Sequence, residues 1–287
     1  MNPENGRDTP LNVRKRITRI SMVLYCLLLI ATVILPLYLT FVTAFKTTKE
    51  TYANYLGLPT IFSLENFTSI IEQKNIAQYF ANSVYITAVS ILLINLVTPL
   101  TAYIIARNHE RRFFKYIYIY FLISIFVPFN VIVFPLTKLL YSLKLMNSIG
   151  LIICYVALSI PENIFLYVAY FRAINRELFE AAQLDGCGPF QYYARVLLPT
   201  CRTIVITVNI LNIIWIWNDF FLPLMVVNTD PSSWTLPIFI YNFKGQHSFS
   251  VNLASAAYQI SIIPIAILFI VFQNKIIEGT ALQSKKL

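Results

Sequence analysis

Residues 84–106 read VYITAVSILLINLVTPLTAYIIA, an apolar run without a charged side chain. As a helix rising 1.5 Å per residue, a run of this length crosses ~30 Å of hydrocarbon. No water reaches free amides there, so the run must be helical. Five further blocks of the same kind lie at about 20–45, 113–136, 149–171, 203–227 and 258–277. None shows the one-sided apolar stripe of a soluble surface helix. Pro36, Pro99, Pro128, Pro161, Pro223 and Pro264 fall within or near these blocks, and membrane helices tolerate the kinks they cause. The sequence predicts an all-α membrane protein with six transmembrane helices. Residues 1–19 form an N-terminal tail, 20–278 the membrane domain and 279–287 a C-terminal tail.

Composition agrees with that class. Apolar residues make up 57 % of the chain and charged residues 12 %, too few charges for a soluble surface. The net charge of +9 does not point to nucleic acid, because the basic residues cluster at the ends of apolar blocks. Sixteen of the 22 Lys and Arg fall on one side if the N-terminus is inside, which predicts both termini in the cytoplasm. Arg14, Lys15, Arg16 and Arg19 precede the first block as in a signal peptide, but a signal core runs only about 7–15 residues. The block is read as a retained first helix. Cys26, Cys154, Cys187 and Cys201 have no CxxC spacing, which argues against a disulfide framework or a zinc site.

Three connections are long. Residues 46–82 and 228–257 are outer segments, and residues 172–202 form the largest inner loop. Within that loop Asn175 is a plausible N-cap, followed by Leu178, Ala181, Ala182 and Leu184 as apolar positions. Gly186 suits a left-handed C-cap. A second short helix starts at Gly188-Pro189 and is expected to end near Leu198, because Pro199 disfavours helix at the residue before it. Two short helices at a glycine elbow could simply cap their own bundle. Against that stand the small pair Ala181-Ala182, open to close approach, and the charges Glu180 and Asp185 at the tip.

Glu180-Ala181-Ala182, Gly186, Val196 and Leu198-Pro199 resemble, in spacing, the EAA loop of ABC importer permeases. Val196 stands where isoleucine is common and Cys187 where a small residue is usual; both changes are volume-tolerant. Trp217-Asn218-Asp219-Phe220 with Pro223-Leu224 is similar to the WN(D/E)F…PL signature of carbohydrate-importer permeases. Asn82-Ser83, Ala102-Tyr103, Ala106-Arg107 and the tail from Phe272 also fit. The similarity covers nearly the whole chain and is greatest to the shorter, six-helix permease of maltose-transporter-like pairs.

The resemblance implies a type I ABC importer transmembrane domain with a cytoplasmic coupling helix. Its implied partners are a homologous second permease, two ATPase subunits and an extracytoplasmic sugar-binding protein. It also implies that Glu180, Ala181, Ala182, Asp185, Gly186, Leu198 and Pro199 couple to the ATPase, and that the outer loop meets the binding protein through Trp234, Tyr241, Phe243 and Gln246. ATP and Mg belong to the ATPases and the chain itself needs no cofactor. The residues agree: the seven glycines include no GxxxxGK(S/T), so no phosphate-cradling loop is expected.

Enzyme readings fare poorly. His109-Glu110 opens like HExxH, but Phe113 occupies the second histidine position. No serine has a GxSxG context. Glu162 and Asp219 lie inside apolar blocks, where ionisable groups are costly and face a bundle interior or a cavity. They, with Trp217 and Asn218, are candidates for the translocation pathway or for helix packing. Other readings remain open at this stage: an importer of another small solute, or a self-powered secondary transporter, although intramembrane charges are few for a relay.

Overall fold

The computed structural model describes residues 10–72, 75–242 and 251–284. Among the described residues every regular element is helical. In chain order they are α1 (Pro10–Ala44), α2 (Thr48–Ala53), α3 (Glu65–Glu72), α4 (Ile76–Arg107), α5 (Arg112–Ile125), α6 (Phe129–Ser142) and α7 (Ser148–Arg172). Then come α8 (Arg176–Leu184), α9 (Pro189–Tyr192), a π turn (Tyr193–Leu197), α10 (Leu198–Thr200), α11 (Arg202–Asn218), α12 (Phe221–Val227), a 3-10 turn (Pro231–Ser233), α13 (Leu236–Asn242) and α14 (Val251–Ser284).

Among the described residues four single helices are long and apolar enough to cross a membrane: α1, α4, α7 and α14. Two bent pairs, α5 with α6 and α9–α10 with α11, bring the number to six if each pair is one span. The expected block 113–136 is therefore not one rod. It breaks before Pro128, and its halves meet at 103°. Proline carries no N–H for the helix ladder and disfavours helix at the residue before it, so the chain turns there. Block 203–227 is likewise interrupted, at Asp219-Phe220. The expected stop near Leu198 is also displaced. The chain stays helical to Thr200, with a π turn ahead of Pro199 absorbing the missing donor.

The described chain divides into two compact units. One holds α1–α3 and the first turns of α14, up to Ile260. It is stapled by amides rather than by a large core. Asn252 Nδ2 donates to Thr43 O and Lys46 O at 3.0 and 2.8 Å, and to Thr51 Oγ1 at 2.7 Å. Asn66 Nδ2 donates to Ala44 O and Lys46 O. Lys46 is fully buried, and its ammonium is satisfied by the carbonyls of Asn54, Tyr55 and Gly57. A buried cation persists only when its donors are spent in this way. The apolar stretch of α1, by contrast, is exposed along nearly its whole length.

The other unit runs from α4 to α13 and takes the rest of α14 from Ser261. Helices α4 and α7 form its most extensive contact. Its apolar packing has two centres. One joins Tyr103, Tyr167, Phe171, Tyr192 and Val208 beneath the 172–202 loop. The other joins Ile86, Val133, Leu151, Tyr155, Leu222 and Ile238 towards the opposite end. Buried and half-buried amides tie the helices between these centres. Asn212 Nδ2 on α11 donates to Asn163 Oδ1 on α7 at 2.9 Å. Asn95 Nδ2 on α4 donates to Asn209 Oδ1 on α11 at 2.7 Å. In hydrocarbon such amides must find partners, and here each finds one across a helix interface.

Candidate functional sites

The inner loop folds as a capped helix and an elbow. Asn175 Oδ1 accepts the Glu177 N–H at 3.2 Å and starts α8. Gly186 closes it at φ 79°, the left-handed conformation that side chains with a Cβ rarely adopt. Nothing lies within 4 Å of where a Cβ would stand, so the requirement for glycine here is backbone torsion and not crowding. Ala182 is buried against the unit, whereas Glu180, Ala181, Asp185 and Leu184 face outwards. Leu184 is 90 % exposed. Leu198 is half-buried and Pro199 exposed.

The loop is fastened to α4 by an aromatic and cationic cluster. Arg107 Cζ stands 4.3 Å over the Phe179 ring of α8. Arg107 Nη1 also donates to Tyr103 Oη at 2.8 Å, and Tyr103 Oη donates on to Pro189 O at 3.4 Å. Phe179 meets Tyr192 edge-on at 4.9 Å. A cavity of about 460 Å³ lies here, lined by Arg107, His109, Glu110, Arg172, Asn175 and Phe179 among others. In the sequence Arg107 stands only among the inner basic residues and in the family resemblance, and nothing there singles out Phe179 beyond its place one position before Glu180.

The residues of the Trp217-Asn218-Asp219 signature, at the end of α11, turn out to be mostly engaged within the unit. Trp217 is buried, and its Nε1 donates to Ser261 O at 3.1 Å. Asn218 bonds back to Ile214 O in its own helix. Asp219 ends α11 and starts the next turn. Its Oδ1 accepts the Phe221 N–H at 3.0 Å and its Oδ2 accepts the Tyr155 hydroxyl at 2.9 Å. Glu162 differs from these three: it is exposed on α7 and borders a second cavity, of about 670 Å³, together with Asp219 and Trp215.

The outer loop is anchored by α4. Ser83 Oγ accepts the Leu236 N–H at 2.9 Å, and Asn82 Nδ2 donates to Ser232 O and Trp234 O. Trp234 is half-buried and turned inwards, its Nε1 on Asn228 O and its ring 5.9 Å from Tyr79. That geometry makes it a strut of the loop rather than a presented surface. Tyr241 is 44 % exposed, with its ring 4.6 Å from that of Phe220. Phe243 and Gln246 lie outside the described residues. Asp230 caps the 3-10 turn; the hydroxyls of Ser233 and Ser232 hold its carboxyl below the ordinary aspartate range.

Several apolar helices, two of the spans broken and amides bridging the interfaces, define a multi-pass α-helical membrane protein. The chain belongs to the family of binding-protein-dependent transport system inner membrane components, which it matches over residues 99–279. It is thus a permease subunit of a transport system. It is 39 % identical to the multiple sugar-binding transport system permease protein MsmG of Streptococcus mutans, over 86 % of this chain and 90 % of that one. It is 33 % identical to the probable starch degradation products transport system permease protein AmyC of Thermoanaerobacterium thermosulfurigenes, over 85 % and 88 %. The fold is that of a chain in a bacterial ABC transporter involved in the import of the acidic polysaccharide alginate. There the TM-score is 0.77 at 20 % identity, over 95 % of this chain and 99 % of the other.

Proposed function

We propose that this chain is one permease of an ATP-driven importer that moves a sugar or oligosaccharide across the cytoplasmic membrane, with both termini in the cytoplasm. A homologous second permease completes the pathway. Two ATPase subunits bind ATP and Mg on the cytoplasmic face, and an extracytoplasmic binding protein delivers the sugar. Support for the sugar comes from the relatives whose names carry one, including a melibiose/raffinose/stachyose import permease of Bacillus subtilis.

The observation that carries the reading is α8. It is a short helix, outward-facing at Glu180, Asp185 and Leu184, yet tied at Phe179 to the last turn of α4. Leu184, 90 % exposed, and the exposed Ala181 three residues before it lie on one face of α8, the face this reading gives to the ATPase. On this reading Glu180, Ala181, Asp185 and Gly186 form the ATPase contact; Ala182, expected to join them, is buried and instead packs α8 onto the unit, while Leu198 and Pro199 hold the loop's return. Closure of the ATPases moves α8 as a rigid element, and α4 moves with it. At the other face Tyr241, with Phe243 and Gln246, meets the binding protein, while Trp234 braces that loop.

The test is co-purification of the detergent-solubilised complex from its native host, wild type beside Glu180→Lys and Gly186→Asp. The wild type brings down an ATPase and a second permease, and the variants lose the ATPase selectively. A wild-type chain that purifies alone and still transports when reconstituted would overturn the reading.

A further inference from the structure

Of the two carboxylates bordering the 670 Å³ cavity, one is spent and one is not. Asp219 accepts from Tyr155 and from the Phe221 amide. Glu162 has no hydrogen-bond or ion-pair partner among the described residues. It lies ten residues before the end of α7 at Arg172, about 15 Å along a helix that crosses the membrane. An exposed carboxylate at that depth is too costly to face lipid without a function. Its direction is fixed from behind, since the next residue, Asn163, is buried and bonded to Asn212 of α11.

The surroundings of Glu162 define a chemistry. Tyr120 of α5, Asn130 of α6 and Trp215 of α11 border the same space, so four helical elements converge on it. All three are exposed, and the Tyr120 hydroxyl, Asn130 amide and Trp215 indole N–H make no hydrogen bond among the described residues. Trp215 is set edge-on against Tyr155 at 5.4 Å, which leaves a face of its ring open. A carboxylate accepts hydroxyls in charge-assisted bonds, an amide both accepts and donates, and an aromatic face covers apolar C–H surface. The volume is that of a small-molecule pocket.

We infer that this subunit itself carries a sugar subsite in the translocation pathway, with Glu162 accepting hydroxyls of a neutral saccharide and Trp215 stacking on its ring. The inference rests on the importer reading and adds a substrate contact within this chain. A cationic solute would use the same carboxylate, and the choice falls on a saccharide because Asn130 offers hydroxyls both a donor and an acceptor.

The experiment measures uptake of radiolabelled maltotriose, raffinose, melibiose and glucose by host cells carrying wild type, Glu162→Gln, Glu162→Asp or Trp215→Leu, with co-purification of the second permease alongside. The expected result is uptake of at least one sugar by the wild type. Glu162→Gln lowers it roughly ten- to hundredfold, as for a lost charge-assisted bond, Glu162→Asp restores part of it, and the second permease is retained throughout. In Glu162→Cys, the imported sugar slows N-ethylmaleimide alkylation at that residue, read by peptide mass spectrometry. Equal uptake by wild type and Glu162→Gln overturns the subsite and leaves the importer reading standing. Loss of the second permease from Glu162→Gln also overturns it, making the carboxylate an interface group. Uptake of none of the sugars by the wild type removes the saccharide reading and the subsite with it.

Discussion

The Arg107 guanidinium lies 4.3 Å over the ring of Phe179, joining the last turn of α4 to the middle of α8. The pair is not isolated, because the same guanidinium donates to Tyr103, whose hydroxyl reaches Pro189 beyond the elbow. Both arms of the inner loop therefore hang on one turn of α4. A contact of this kind contributes about 0.5–2 kcal/mol, small beside the fold but large enough to decide whether α8 moves with α4 or without it.

Arg107→Gln is expected to leave the chain in the membrane and the ATPase bound, while sugar uptake falls several-fold for the same ATP hydrolysed. Phe179→Leu, which keeps apolar volume but removes the ring face, gives the same uncoupling. The check is the ratio of transport to hydrolysis in proteoliposomes. An unchanged ratio in both variants would mean that the clamp is only packing.

Gly186 makes a graded prediction, since its φ is left-handed and the space around it is open. Alanine there costs about 1–2 kcal/mol of backbone strain, whereas asparagine tolerates the conformation better. Coupling is expected to decline in the order Gly, Asn, Ala, Val, with the ATPase lost from the complex in parallel. If crowding and not torsion mattered, Asn would be worse than Ala, and quantitative co-purification distinguishes the two orders.

The expected block 149–171 and the helix Ser148–Arg172 nearly coincide, because a mostly apolar run of that length has one reading even with Pro161 and Glu162 inside it. The elbow was legible too, since Asn175, Gly186 and Pro189 each act on backbone close by in sequence: a side-chain cap, a left-handed torsion and a missing N–H. What escaped was set by partners distant in sequence. Asp219 breaks block 203–227 while bonded to Tyr155, 64 residues away. The chain turn before Pro128 was visible only as a proline, and prolines elsewhere, such as Pro99 and Pro161, stay inside continuous helices. Trp234 looked like a loop aromatic available to a partner, and only the Asn82 and Tyr79 side chains reveal it as a strut. Residues inside the apolar blocks were weighed for charge, proline and a family signature, so the asparagines 95, 163, 209 and 212 went unread.

Those asparagines give a double-mutant test. Removing one amide of the Asn163–Asn212 pair leaves the other buried without its partner, at about 1–3 kcal/mol. Replacing both by leucine removes the orphan as well. Asn163→Leu and Asn212→Leu are each expected to lower the midpoint of thermal unfolding in detergent, and the double variant less than the sum of the two. Strict additivity would mean that the amides do not act as a pair.

At the outer face, Asp230 makes a prediction about pH. Its carboxyl is held below the ordinary aspartate value, so it stabilises the turn fully above about 3.9, and that contribution is lost only as pH falls through its lower folded value. Protease cleavage of the 228–242 segment is therefore expected to be the same at pH 5 as at pH 7. Asp230→Asn, which cannot gain from ionisation, should be cut faster at both. A rise in wild-type cleavage at pH 5 would show that the carboxylate is not the turn's anchor.

Ser83 tests whether that loop is held from α4. The Leu236 N–H is buried and has the Ser83 hydroxyl as its acceptor, so Ser83→Ala leaves a donor unpaired at about 1–3 kcal/mol. The penalty falls where α13 begins, and Tyr241 sits on that helix. Loosening there should weaken the response to the binding protein before it weakens the membrane domain. Ser83→Ala is expected to raise the binding-protein concentration needed for half-maximal ATPase stimulation several-fold, with little change in detergent unfolding of the complex. Ser83→Thr, which keeps the hydroxyl, should restore most of the response. If alanine and threonine behave alike, α4 does not hold the loop through this bond, and the outer contact must depend on residues beyond Tyr241.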